Sequence, residues 1–147
     1  MARSVHLVRR SIRWFVDSRR VGVPVAPTVA LSAQESRHWE GMAVQDRLHA
    51  IRVLARFDAL MPGAPDEVRR GVLLHDVGKN ASGLGFISRV AATVLGPVRP
   101  SWRVYLDHER IGSDLLRSSG SADATWRLVR GDADQAVLRA LHRADDE

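Results

Sequence analysis

A histidine and an aspartate stand side by side in Gly71-Val-Leu-Leu-His-Asp-Val-Gly-Lys79, where an apolar run gives way to His75, Asp76 and Lys79. Imidazole nitrogen and carboxylate oxygen are the donors left to a divalent cation in a chain without cysteine, as this one is. The dipeptide alone carries little weight, since the His and Asp content of the chain supplies about half an occurrence by chance. Its setting adds more. An anionic side chain near a helix C-terminus faces the negative end of the helix dipole, and a cation bound there would reverse that penalty. The plainer reading is a buried aspartate that caps the next turn, with a histidine packed against it. Lys79 is the only lysine among 22 basic residues, and where arginine supplies every other positive charge, one lysine marks a place that wants a compact, flexible ammonium.

The elements that must position these groups read as helices. Val5 to Arg20 sets Val8, Ile12, Phe15 and Val16 against Arg9, Arg10, Arg13 and Asp17, an amphipathic helix. Val21 to Val29, with Pro24 and Pro27, reads as an extended linker over the surface. Ser32 and Glu35 have capping-box spacing and predict a helix over Ala33 to Glu40, ended by Gly41. Val44 to Leu60 follows, its apolar stripe at Leu48, Ile51, Leu54 or Ala55, and Phe57 or Leu60, with His49 on the border. Pro65, Asp66 and Glu67 open a helix that runs to a stop at Gly78 and carries His75 and Asp76 in its last turn. Adjacent residues on a regular helix point about 100° apart, so one ion serves both only where they converge. Further helices are expected at Phe86 to Leu95, Trp102 to Ser118, Ala122 to Arg130 and Gln135 to Asp145; no segment alternates with period two. The fold class is all-α.

A chain of 147 residues with 45% hydrophobic and 27% charged residues suits one globular core. The absence of cysteine excludes disulfides, thiolate zinc sites and Cys nucleophiles. No apolar run reaches the ~20 residues of a membrane span, and arginines interrupt the N-terminal segment, so the expected location is the cytosol. The formal charge of +5 is spread along the chain apart from Arg9, Arg10, Arg13, Arg19 and Arg20, and predicts no specific nucleic-acid partner. His6 and His38 read as surface residues, and Trp14, Trp39, Trp102 and Trp126 as packing residues without a common spacing.

Taken in order, His49 in Asp46-Arg-Leu-His-Ala-Ile-Arg-Val53, the pair His75-Asp76, and Asp145 in Leu141-His-Arg-Ala-Asp-Asp146 resemble the pattern of the HD superfamily of metal-dependent phosphohydrolases. That pattern is an early His, an adjacent His-Asp and a late Asp, all on helices. His49 precedes His75 by 26 residues, and Leu73 to Lys79 is the most specific part of the match. The stretch Asp107-His-Glu-Arg-Ile-Gly-Ser-Asp-Leu-Leu116 is similar to the one in which many members carry a further His. The resemblance spans roughly residues 31–147 and implies a compact HD-domain bundle of six to seven helices there, with residues 1–30 as the amphipathic helix and linker.

It further implies a metal bound by His49, His75, Asp76 and Asp145. Mn, Fe or Mg suits such a donor set, and Zn is compatible with it. The metal would lower the pKa of a bound water and polarise a phosphoryl oxygen. Asp76 and Lys79 would be catalytic, Lys79 as a point charge on the phosphate of a small phosphorylated substrate, a nucleotide among the candidates. His108 is a candidate second-metal ligand or a support behind the first ligands, with an ordinary pairing to Glu109 as its alternative. His142, three residues before Asp145, shares its helix face, though such a histidine commonly only packs. The chain departs from the fuller pattern at Leu128-Val-Arg-Gly-Asp-Ala-Asp134, where two-metal members carry another His. Asp132 or Asp134 could replace it, but a single-metal site is the better expectation, and a regulatory nucleotide-binding module is the competing function. Oxidation at an iron centre ranks third. For the N-terminal helix, docking on the core competes with binding a membrane or another subunit. Deletion of Met1 to Arg20, read by solubility and melting temperature, separates them: a stable, soluble truncation favours the external partner.

Overall fold

Reciprocal capping starts the first helix of the computed structural model, which describes residues 25–82 and 107–146. Ser32 Oγ accepts from the Glu35 amide at 3.2 Å, and Glu35 Oε2 accepts from the Ser32 amide at 2.9 Å, so two donors without helical partners are satisfied at once. The helix α1 covers Ala33–Gly41 and α2 covers Val44–Leu60. A turn through Gly63 leads to α3, Asp66–Leu73, capped by Pro65, and a 3-10 segment follows at Val77–Ser82. The remaining helices are α4, His108–Ser118; α5, Asp123–Arg130; and α6, Gln135–Asp146. Gly120 and Gly131 carry positive φ where α4 and α5 end, and the amides of Ser121 and Asp132 reach back to Leu116 and Arg127, the 6→1 bonds of a Schellman close. Among the described residues there is no strand, and the fold is an all-helical bundle of six α-helices. No described helix is long and apolar enough to cross a membrane. The expected helices at Val5–Arg20 and Phe86–Leu95, and the first part of the one expected from Trp102, fall outside the described residues.

Helix α2 is the spine. It packs against α3 and α6, while α5 lies against α3 and α4, and α4 lies on the 3-10 segment. Its buried residues are Asp46, Ala50, Val53, Leu54 and Phe57. Leu54 and Phe57 of the expected stripe are buried, and Leu48 and Ile51 are half-buried against the core, so the stripe is partly turned, with Ala50 and Val53 buried in addition and Ala55 and Leu60 exposed. Ala50, Val53, Leu54 and Phe57 share one face at helical spacing, and all four are fully buried. This rotation brings His49 and Arg56, seven residues apart and so on one face, toward α6: Arg56 donates to the Ala144 carbonyl at 2.9 Å, a cation on the carbonyl-rich end of a helix. Arg69 clasps Asp58 with two bonds of 2.9 Å and reaches Asp66 at 3.0 Å, tying α3 to the end of α2.

The core extends into the segment expected to run over the surface. Val25 and Val29 are buried, and Trp39, itself buried, donates its indole N–H to the Val25 carbonyl at 3.0 Å. His38, expected at the surface, is half-buried with Nε2 2.7 Å from Ser119 Oγ. Burial lowers its pKa below the ordinary imidazole value, against the opposing pull of Glu35. Trp126 lies under the Arg117 guanidinium at 5.0 Å and donates to Asp123, a packing role like that of Trp39.

The closest helix contact is backbone on backbone. A Cβ at Gly78 would fall on the His108 carbonyl oxygen and within 2.7 Å of the Gly112 nitrogen, and one at Gly112 would lie 3.0 Å from the Gly78 nitrogen. Only hydrogen fits between these chains, which lets α4 lie directly on the 3-10 segment. Gly78→Ala is expected to lower unfolding stability by about 1–3 kcal/mol, the usual cost of overpacking. Phe57→Ala, at a fully buried core position, is expected to lower it by about 3–5 kcal/mol. Urea titration of both variants measures these losses.

Candidate metal centre

Helix α3 stops at Leu73, so His75 and Asp76 do not lie in its last turn as expected; they occupy the turn between α3 and the 3-10 segment. The break has a use, because a regular helix would splay the two side chains apart. His75 Nδ1 is 2.8 Å from the Val72 carbonyl. A carbonyl only accepts, so Nδ1 carries a proton, and in the neutral ring Nε2 is left with its lone pair. Nε2 is buried and has no hydrogen-bond partner. It stands 3.5 Å from Asp76 Oδ1 and 3.7 Å from Asp145 Oδ1. A buried polar atom without a partner is uncommon in a folded protein, and an unplaced ion is one of its ordinary explanations.

Three elements complete the arrangement. From α2 comes His49, whose Nε2 lies 2.6 Å from Asp145 Oδ1 of α6. The rings of His49 and His75 are 6.0 Å apart, tilted by 58°. One donor atom each from His49, His75 and Asp76 falls within 4.8 Å of the others, and this group could hold a metal ion. From α4 comes His108, with Nε2 3.6 Å from Asp76 Oδ1, placed there by the Gly78–Gly112 contact. Asp76 is almost fully buried and its other oxygen, Oδ2, accepts from the Lys79 ammonium.

Electrostatics follow from this crowding. Burial would push the Asp76 carboxyl up, but His75, Lys79, His49 and His108 together hold it far below the ordinary carboxylate range. Burial would likewise lower the His75 pKa; Asp76 and Asp145 outweigh it and raise the imidazole above its usual value. The site thus presents a fixed anion ringed by imidazoles, with one cation, Lys79, already on the anion.

Not every candidate joins. His142 is exposed, so sharing a helix face with Asp145 does not bring it to the cluster. Asp146 is exposed, and Asp145 is the residue that meets His49. Asp132 pairs with Arg127, and Asp134 accepts from the Ala136 amide at the start of α6, so neither stands in for the further His of two-metal members. Two contributors were missed in the sequence: the Val72 carbonyl, which orients His75, and Gly112, which admits α4. A lone glycine inside an otherwise amphipathic helix is the signal that could have found the second.

No family model, curated protein or solved structure matches the chain.

The two shifted groups give the metal-free protein a defined pH response. Asp76, depressed in the folded state, contributes stability above the ordinary carboxylate pKa and loses it only as pH falls through its folded value. His75, raised in the folded state, contributes fully below the ordinary imidazole pKa and loses its contribution as pH rises through its folded value. Melting temperature in chelator should therefore decline above the ordinary imidazole pKa. A divalent ion requires neutral imidazole, so the stabilisation by added Mn²⁺ should grow over the same rise in pH. Thermal melts from pH 5 to about 9, with chelator and with Mn²⁺, compare the two slopes; parallel curves would argue against a cation at His75.

Proposed function

We propose that the chain is a metal-dependent phosphohydrolase of the HD-domain type, acting on a small phosphate ester. The observation that carries this reading is the buried Nε2 of His75, which has no hydrogen-bond partner and is set in a turn where His49 and Asp76 offer donor atoms to the same point. Asp145 extends the donor set, since its carboxylate is within reach of both histidines. Mixed imidazole and carboxylate donors suit Mn²⁺, Fe²⁺ or Mg²⁺, with Zn²⁺ also compatible. When bound, such an ion supplies Lewis acidity and an ionised water at neutral pH. The chain's own part is to hold Asp76 ionised, to keep the His75 lone pair inward through Nδ1–H on Val72, and to bring His108 beside Asp76, where an imidazole can pass a proton to a leaving oxygen. A hydrolytic step on a phosphate ester needs these elements and no thiol.

The competing reading is a nucleotide-sensing module that keeps the scaffold without turnover. It is favoured by the engagement of Asp132 and Asp134 elsewhere, which leaves the middle of the fuller two-metal pattern without a replacement ligand.

Elemental analysis of protein purified without chelator or nickel resin tests the site. About one Mn, Fe, Mg or Zn per chain is expected, and loss of it in His75→Ala/Asp76→Ala. Hydrolysis of p-nitrophenyl phosphate and of nucleoside monophosphates by the loaded protein, abolished in the same double variant, tests the activity. Metal bound without hydrolysis of any phosphate ester would favour the sensing module; a wild-type chain that takes up no metal would remove the hydrolase reading and leave the sensing module, which keeps the scaffold with or without an ion.

A further inference from the structure

The Asp76 carboxylate is divided between two surroundings. Oδ1 faces His75 at 3.5 Å and His108 at 3.6 Å. Oδ2 takes the ammonium of Lys79, three residues on. Neither partner is open to solvent: the side chains are 2% and 11% exposed. The same two residues are joined by backbone, the Lys79 amide donating to the Asp76 carbonyl at 3.0 Å. Residues three apart in a 3-10 turn eclipse one another, which sets Lys79 over Asp76 without a choice of side.

We propose that Lys79 is a positioning residue that acts through Asp76, holding Oδ2 so that Oδ1 alone is presented to the cation at the His49–His75–Asp76 group. The inference rests on reading that group as a metal centre. It assigns Lys79 a task other than touching a substrate phosphate, and three observations support it. The final torsion of an aspartate is broad, so an unheld carboxylate would turn freely between one-oxygen and two-oxygen presentation. The ammonium donates to Oδ2 and is buried there. The third is the residue type. A guanidinium fork takes both oxygens of a carboxylate, which would withdraw Oδ1 from the site, whereas an ammonium is a point donor and engages one. In a chain where arginine fills every other basic position, this is where lysine stands.

The sign of one measurement separates positioning from mere proximity. A positive charge beside a cation site opposes binding, so removing a bystander lysine tightens the metal, while removing a residue that orients the ligand loosens it. Mn²⁺ binding to the full-length, chelator-stripped chain is measured by calorimetry for wild type, Lys79→Met and Lys79→Gln. Lys79→Met is expected to bind roughly 10- to 100-fold more weakly. Lys79→Gln, which keeps a donor and drops the charge, is expected to fall between the two. In Co²⁺-loaded protein the visible d–d absorption of Lys79→Met should weaken relative to wild type as the freed carboxylate adds its second oxygen. If Lys79→Met does not melt cooperatively, Lys79→Gln carries the comparison in the same direction. Equal or tighter Mn²⁺ binding by the folded variants overturns the inference and leaves the metal centre standing, and loss of inorganic phosphate affinity in that case returns Lys79 to the substrate. Failure of wild type to bind Mn²⁺ or Co²⁺ overturns the metal centre itself.

Discussion

Two side chains adjacent in sequence leave a regular α-helix about 100° apart, and the organisation around His75 and Asp76 follows from a break in the helix that turns them toward one point. Helix α3 gives way after Leu73, a turn carries the pair, and a tighter 3-10 turn follows at once. The tighter turn stacks Lys79 on Asp76, and its Gly78 admits the backbone of α4. Were α3 to continue for another turn, His75 and Asp76 would diverge by about 100° and α4 would have no glycine to lie on. The local break and the long-range packing are thus one arrangement, with the same few residues serving both.

Charge is arranged to match. A nearly buried carboxylate is costly unless it is surrounded by donors and cations, and Asp76 has Lys79 on one oxygen and histidines around the other. Asp145, in the last turn of α6, lies where the helix dipole disfavours an acid. The short contact with His49 compensates, and Arg56 on the Ala144 carbonyl neutralises the same helix end. The face of α2 that carries His49 and Arg56 therefore holds the last turn of α6 by two contacts.

Much of the helical framework was legible in the sequence because capping and breaking are local. Ser32 with Glu35, Pro65 before Asp66, and the glycines after α4 and α5 announce boundaries within a few residues of themselves. The candidate ligands His49, His75, Asp76 and Asp145 were legible by type and order. What was not legible depended on distant partners. The burial of Ala50 and Val53 goes with the packing of α3 and α6 on α2, which no local pattern encodes. Val25 is tied down by Trp39, fourteen residues away. The end of α3 at Leu73 escaped notice because Leu74 continues the apolar run and no breaker residue stands there.

The contact between His49 and Asp145 joins positions 96 residues apart. During synthesis, the group His49, His75 and Asp76 emerges well before Asp145, the acid that meets His49. Closing a loop of that length adds little entropy beyond what a loop half as long requires, but it cannot precede the docking of α6. Contacts so distant in sequence are slow to form relative to helix turns. The His49–Asp145 contact therefore forms only once α6 has docked on α2, so its presence gauges whether that helix is in place.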